Sequence, residues 1–141
     1  MTKKTRLLGI ALATVALTTI GAPQIKEVLK VLGVGAVVKQ FGKDINKQIN
    51  KITGHTDTTA SATKVVPILS VGLNGASSAI GAAQIMGPKA KIDTVEAVAQ
   101  PEVKFADIRL RGLVPVATKD FKGGIKAVDG VGVSGIVDLK L

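Results

Sequence analysis

The sequence predicts an α+β fold, in which an N-terminal amphipathic helix packs on a small antiparallel or mixed β-sheet with one additional short helix. Apolar residues recur at every third or fourth position over residues 25–53, which is the spacing of one helix face. After residue 63 the chain becomes rich in β-branched residues, grouped in short segments that end at glycine or proline. The predicted organisation is a signal peptide or N-terminal anchor (1–22), a basic amphipathic helix (23–54), a polar linker (55–63) and an α+β domain (64–141).

The N-terminal region has the pattern of a secretory signal peptide. Lys3, Lys4 and Arg6 precede an apolar stretch without charge, and this order of basic and apolar regions directs export. A buried hydrophobic helix is the other interpretation, but the basic start and the lack of a polar face disfavour it. Thr19 and Gly21 are small enough for a signal peptidase site. We therefore expect a protein of the periplasm, the cell envelope or the medium, which is anchored in the membrane if the segment is not cleaved.

The predicted helix over residues 23–54 has two opposite faces. Lysines recur at every fourth position, and an apolar row lies two positions out of step with them. Positions two apart point in roughly opposite directions on a helix, so we expect the apolar row to pack on the sheet and the lysines to face solvent. The alternatives are that the apolar row lies on an anionic membrane surface or in a partner's groove, or that it forms a seam for self-association. Gly33 and Gly35 favour a kink, so we expect either one long helix or two helices in series. The lysines are Lys39, Lys43, Lys47 and Lys51, and the apolar residues are Phe41, Ile45, Ile49 and Ile52.

A hairpin and a short helix are predicted after the linker. The Asn74-Gly75 pair predicts a tight turn between two strands. Pro67 predicts that the first of these strands lies at a sheet edge or contains a bulge, because proline cannot donate a ladder hydrogen bond. The segment from Lys89 to Gln100 has apolar residues at helical spacing and predicts the additional short helix.

Two further strand regions are predicted near the C-terminus. Between residues 102 and 116 the apolar side chains switch parity at Ala106-Asp107, which predicts a bulge or bend. The segment 131–141 alternates apolar and polar residues and predicts a half-buried strand, with Ile136 as the exception. In that strand Val133 and Val137 are expected on one buried face.

The charge of the chain indicates an anionic partner. The formal net charge is +9, and removal of the three basic residues of the predicted signal leaves +6. An exported domain of this charge is attracted to anionic lipid headgroups, acidic polymers or an acidic protein. Nucleic acid is disfavoured as a partner because the protein is predicted to be exported. It is also disfavoured because three phenylalanines, without tryptophan or tyrosine, offer almost no platform for stacking bases.

No motif in the sequence points to catalysis, a metal or a cofactor. The single histidine, His55, lies in the polar linker, where we expect it to be solvated, and the chain has no cysteine. The acidic residues are scattered and do not form a calcium-loop pattern, and the glycine-rich stretches lack the spacing of phosphate-binding loops. The sequence therefore predicts a non-enzymatic protein without a bound cofactor.

These observations lead to one functional hypothesis and one alternative. The hypothesis is an exported, non-catalytic domain whose basic surface binds anionic lipid or an envelope polymer. The alternative is a structural or adaptor protein that binds another protein through its amphipathic helix or an exposed sheet edge. Two arginines are added to the lysines as candidates. They alternate with Ile108 and Leu110 along a predicted strand and therefore lie on the face opposite these apolar residues. The candidate binding residues are Lys39, Lys43, Lys47, Lys51, Arg109 and Arg111.

Overall fold

The computed structural model describes residues 22–72 and 77–139 and shows an α+β fold, as the sequence predicts. The predicted signal segment, except for its last residue, and the Asn74-Gly75 turn lie outside these ranges. The described helices are α1 (Ala22–Leu32), α2 (Val34–Thr53) and α3 (Lys89–Ile92). The described strands are β1 (Ala62–Val71), β2 (Ser77–Gly87), β3 (Ala97–Gln100), β4 (Glu102–Phe105), β5 (Ile108–Arg111), β6 (Val114–Val116) and β7 (Gly132–Val137).

Helices α1 and α2 meet at Gly33, so the segment forms two helices in series, which is one of the two predicted alternatives. Gly33 has a φ of 87°, a backbone conformation that glycine adopts without a steric penalty. Its N–H donates to Leu29 O at 3.1 Å, and its carbonyl accepts from the Val37 N–H at 3.3 Å, so one residue ends the first helix and begins the next. Helix α2 ends at Gly54, which is left-handed with a φ of 73°. None of the helices within the described residues is both long and apolar enough to cross a membrane.

Five strands form a mixed sheet in the order β6-β3-β1-β2-β7, and β4 and β5 form a separate two-stranded sheet. Strand β1 pairs antiparallel with β2 and parallel with β3. The antiparallel partnership of β1 and β2 is the one that the Asn-Gly pair predicts, and it is confirmed. Cα atoms of the two edge strands, β6 and β7, approach within 8 Å of one another. The sheet is therefore strongly curved.

The larger hydrophobic core lies on the face of the sheet opposite α2. Ile85 points into this core, whereas its neighbour Gln84 on the same strand bonds to α2. Successive strand residues point to opposite faces, so the two faces of the sheet have different chemistry. The buried members of the larger core are Ala62, Val66, Ile68, Ala83, Ile85, Ile92, Val95 and Val98. A second buried cluster consists of Leu69, Ala97, Ala99, Val116 and Phe121.

Pro67 lies in β1, at the centre of the sheet, so of the two predicted alternatives the edge strand is wrong, and a bulge is the one that occurs in this strand. Strand β3 pairs with β1 only from Ile68 onward, and at Pro67 the only paired neighbour is therefore β2. Because β3 forms no pair with β1 at this position, the missing N–H of proline removes no hydrogen bond between these two strands. An inner strand can therefore accommodate the proline. A bulge does occur one residue later, where the pairing shifts between Ile68 and Leu69 and leaves Ile80 of β2 without an opposite residue.

The predicted helix from Lys89 to Gln100 is only partly correct. Residues Lys89–Ile92 are helical, but Ala97–Gln100 is strand β3, between β1 and β6. Val98 and Ala99 are both completely buried, because this strand is covered on both faces. A short apolar run that is buried on both sides does not show by its periodicity whether it forms a helix or a strand.

The predicted linker and the predicted bend also differ from the structure. Strand β1 begins at Ala62, within the segment predicted as linker. Ala106-Asp107 is not a bulge in one strand but the two-residue turn of a hairpin, because Phe105 pairs directly with Ile108. The turn reverses the chain, and this reversal explains the parity switch seen in the sequence.

Candidate functional site

The four predicted lysines form a continuous cationic row, the lysine row, on the outer side of α2. All four side chains are exposed. Within residues 22–72 and 77–139 none of them takes part in a salt bridge. Successive members are about 6 Å apart along the helix axis and turn by about 40°, so the row spans about 18 Å. The prediction that these ammonium groups face solvent is confirmed.

The opposite side of α2 lies against β1 and β2. Val37 and Gly42 are buried on this side. A Cβ atom at Gly42 would lie 3.7 Å from Val65 O, so the helix runs close to the backbone of β1. The packing of α2 on the sheet therefore fixes the direction in which the lysine row points. The predicted apolar residues Phe41, Ile45 and Ile49 are half-buried.

Ile52 does not pack on the sheet, and its prediction as a packing residue is wrong. Its exposed fraction is 82%. The side chains that bond to the sheet near the end of α2 are Asn46 and Asn50. Ile52 lies two positions after Asn50 and so points to roughly the opposite side of the helix.

A buried polar network joins the end of α2 to the sheet, and Gln84 is at its centre. Only 1% of Gln84 is exposed. Its Nε2 donates to Asn46 Oδ1 at 2.9 Å and to Asn50 Oδ1 at 2.8 Å. Its Oε1 accepts from the Ser134 hydroxyl at 2.7 Å. Buried amides are stable only when they are hydrogen-bonded, and here both ends of the amide have partners.

Thr63 and Asp57 extend the polar network from β1 to the loop after α2. The Nδ2 atoms of Asn46 and Asn50 donate to Thr63 Oγ1 at 2.9 and 3.0 Å. The Thr63 hydroxyl lies 2.7 Å from Asp57 Oδ1 and donates to it. Asparagines four positions apart on a helix share a face, so the sequence places these two amides together, but it does not show which residues they bond to.

A bulge in β7 brings Ser134 into the polar network. Gly135 is paired with Gln84 and Val133 with Ile85, so Ser134 is the extra residue. Val137 is paired with Ala82, two residues from Gln84 on β2, and so lies on the α2 side, whereas Val133 packs against the larger core. The prediction that Val133 and Val137 share one face is therefore wrong, because the bulge shifts the alternation by one residue.

His55 is a structural residue of the loop between α2 and β1. Its Nε2 lies 3.0 Å from Ser61 O and 3.3 Å from Asp57 Oδ1. Its side chain is 17% exposed, so the expectation that it is solvated is wrong. These contacts hold the loop closed beside the polar network.

The predicted arginines lie on the hairpin of β4 and β5, not on the five-stranded sheet. Both are exposed. Arg111 Nε lies 2.9 Å from Glu102 Oε2, and Arg109 Nε lies 3.4 Å from the same oxygen. One carboxylate thus partly neutralises two guanidinium groups, whereas no carboxylate in the described residues forms a salt bridge with the lysine row.

Within the described residues, no group of three or more histidine or acidic side chains is placed to hold a metal ion. Comparisons of the chain with protein-family models, with curated proteins and with solved structures found no match.

Proposed function

We propose that the protein is an exported, non-catalytic domain that binds an anionic lipid surface or an acidic envelope polymer through the lysine row. The observation that supports this proposal is the arrangement of Lys39, Lys43, Lys47 and Lys51. They are exposed, they form no salt bridge within residues 22–72 and 77–139, and they share one side of a helix whose other side is packed. Cations in this arrangement are available to an external anion without breaking an internal contact.

The free energy of such binding is electrostatic, and the contributions of the individual lysines add only in part. Each lysine near an anionic membrane surface contributes about 1 kcal/mol at most. Four lysines on one helix therefore support attraction of up to about 4 kcal/mol, and the attraction weakens as salt shortens the Debye length. Because α2 is already folded and packed, binding requires no ordering of the backbone.

Replacement of all four lysines of the row by glutamine is expected to weaken binding to anionic vesicles at least about tenfold, since each lost cation removes up to about 1 kcal/mol. Binding is measured by cosedimentation with vesicles of equal phosphatidylglycerol and phosphatidylcholine. Phosphatidylcholine vesicles alone are expected to bind neither protein.

A matched variant separates the position of the charges from their number. Four other exposed lysines are changed to glutamine in the control, so its net charge equals that of the lysine-row variant. The control is expected to lose clearly less affinity than the lysine-row variant. Equal losses in the two variants would show that net charge, and not the lysine row, governs binding. The control positions are Lys91, Lys119, Lys122 and Lys126.

A second candidate function is that of a structural or adaptor protein. The supporting observation is β7, an edge strand of the five-stranded sheet in which Ile136 is 59% exposed. Edge strands offer unpaired backbone groups to a partner strand. A co-purifying partner or a concentration-dependent mass that is insensitive to the lysine-row changes would favour this function over the first.

A further inference from the structure

The hairpin of β4 and β5 is a two-stranded ribbon with one wholly apolar face. Val103 pairs with Leu110 and Phe105 pairs with Ile108. Directly paired residues share a face, so these four side chains lie together. We call them the apolar hairpin face. Their exposed fractions range from 48% for Leu110 to 67% for Phe105.

The other face of the hairpin is charged. Glu102 pairs with Arg111 and Lys104 pairs with Arg109. This face therefore carries three cations and one carboxylate, and Asp107 lies in the turn. The side chains of lysine and arginine are long, so their charged ends can reach water while their aliphatic stems lie along an apolar surface.

The hairpin projects from one end of the five-stranded sheet. It begins just after Gln100 of β3, which pairs with Ser70 near the end of β1. Every residue from Glu102 to Gly112 is exposed. The hairpin is therefore held to the body at its base, and both of its faces are accessible along its length.

The start of α2 points toward the same end of the sheet. Asn50 bonds to Thr63 near the beginning of β1, whereas Gly42 approaches Val65, two residues further along the strand. The helix and β1 therefore run in opposite directions. Val31 and Leu32, which end α1 just before α2, are also exposed. Exposed apolar side chains thus occur toward the hairpin end both on α1 and on the hairpin.

We propose that the apolar hairpin face inserts into the boundary between headgroups and acyl chains of an anionic bilayer. This inference rests on the proposed function and narrows it to lipid, because a soluble acidic polymer offers no apolar phase to cover these side chains. The cations of the opposite face, Lys104, Arg109 and Arg111, complement anionic headgroups around the inserted residues.

The size of the patch disfavours a second copy of the chain as the occupant. Four side chains of this exposure present on the order of 400 Å² of apolar surface, which is similar to the largest patch on an ordinary monomer. A stable dimer needs about 800 Å² from each partner. The hairpin face alone is too small for a stable dimer, whereas a bilayer can cover an apolar patch of any size.

A single tryptophan tests the insertion directly, because the natural chain contains no tryptophan and no tyrosine. Ile108→Trp places the indole on the apolar hairpin face. Ile136→Trp is the matched control, since both isoleucines lie in strands and their exposed fractions are 56% and 59%. The vesicles contain equal phosphatidylglycerol and phosphatidylcholine, with or without bromine on the acyl chains.

The Ile108→Trp protein is expected to show emission at shorter wavelength on binding, and quenching by the brominated acyl chains. The Ile136→Trp protein is expected to show neither. Binding of both proteins without a change in the Ile108→Trp emission would overturn the insertion and leave the lysine-row proposal intact. Failure of the wild-type protein to bind these vesicles would overturn the insertion and the lipid form of the proposed function, and would leave only an acidic polymer as the partner of the lysine row.

A loss-of-binding variant provides a second test. Phe105→Ser combined with Ile108→Ser is expected to weaken binding to the same vesicles at least about tenfold, because two apolar side chains no longer leave water. Binding to dextran sulfate, a soluble polyanion, is expected to stay within about twofold, because net charge is unchanged and only the charges act there. Unchanged vesicle affinity would overturn the insertion. A wild-type dimer that the variant converts to a monomer would also overturn it and assign the face to a second copy.

Discussion

Replacing Gln84 by leucine is expected to lower the free energy of unfolding by about 3 kcal/mol, because three groups that bond to its amide lose their partner under α2. These groups are Asn46 Oδ1, Asn50 Oδ1 and the Ser134 hydroxyl, all within 2.9 Å of the Gln84 amide atoms. Leucine has a similar size but cannot donate or accept a hydrogen bond. The measurement is urea unfolding followed by far-ultraviolet circular dichroism.

Gln48→Leu is the control for this change. Gln48 is exposed on α2, so the same substitution there is expected to change the unfolding free energy by no more than about 0.5 kcal/mol. If Gln84→Leu is as mild as Gln48→Leu, the polar network does not hold α2 to the sheet. The orientation of the lysine row would then need another explanation.

Replacing Ile85 by alanine is expected to lower the free energy of unfolding by about 3 to 4 kcal/mol, through lost burial and the cavity that remains. Ile85 is completely buried in the larger core, on the face of β2 opposite Gln84. Other members of this core come from β1, α3 and β3, so relaxation of one element does not fill the space. Urea unfolding again gives the value.

Ile136→Ala is the matched control for Ile85→Ala, since it removes the same atoms from an exposed position of β7. Its effect on stability is expected to stay below about 1 kcal/mol. At low temperature, where both variants remain folded, vesicle binding is expected to equal that of the wild-type protein. Weaker binding by folded Ile85→Ala would connect the core to the binding surface in a way that the structure does not explain.

The helical part of the fold was the most predictable from sequence. Charged side chains every fourth residue define a solvent face wherever the helix packs, and Gly33 and Gly54 end helices by their backbone freedom alone. The direction of the lysine row was therefore accessible without knowledge of the sheet. The exact contacts of the other side of α2 were not, because they depend on which strands lie beneath it.

The polar network shows why those contacts were missed. The buried side of a helix is predicted from its stripe of apolar residues, and this method assigns every asparagine to the surface. Asn46 and Asn50 are instead the residues that bond to Thr63 and Gln84. Gln84 is a lone amide in a strand of small and apolar residues, and such a residue requires a partner from another element. Only the tertiary structure shows that α2 supplies it.

The sheet was less predictable than the helices for a related reason. A two-residue turn at Ala106-Asp107 and a bulge at Ser134 each change which residues share a face. Local sequence does not fix where strands pair, and pairing decides whether a parity switch is a bend, a bulge or a hairpin. The apolar hairpin face therefore became visible only when the pairing of Phe105 with Ile108 was known.

The salt dependence of vesicle binding tests the central claim, binding through the lysine row, most directly. Affinities of the wild-type protein and of the lysine-row variant are measured between about 0.05 and 0.5 M NaCl, a range over which the Debye length falls well below 10 Å. The wild-type affinity is expected to fall steeply with salt, and the variant is expected to be weak and much less sensitive. A wild-type affinity that is constant across this range, or a variant with the same slope as the wild type, would contradict the account.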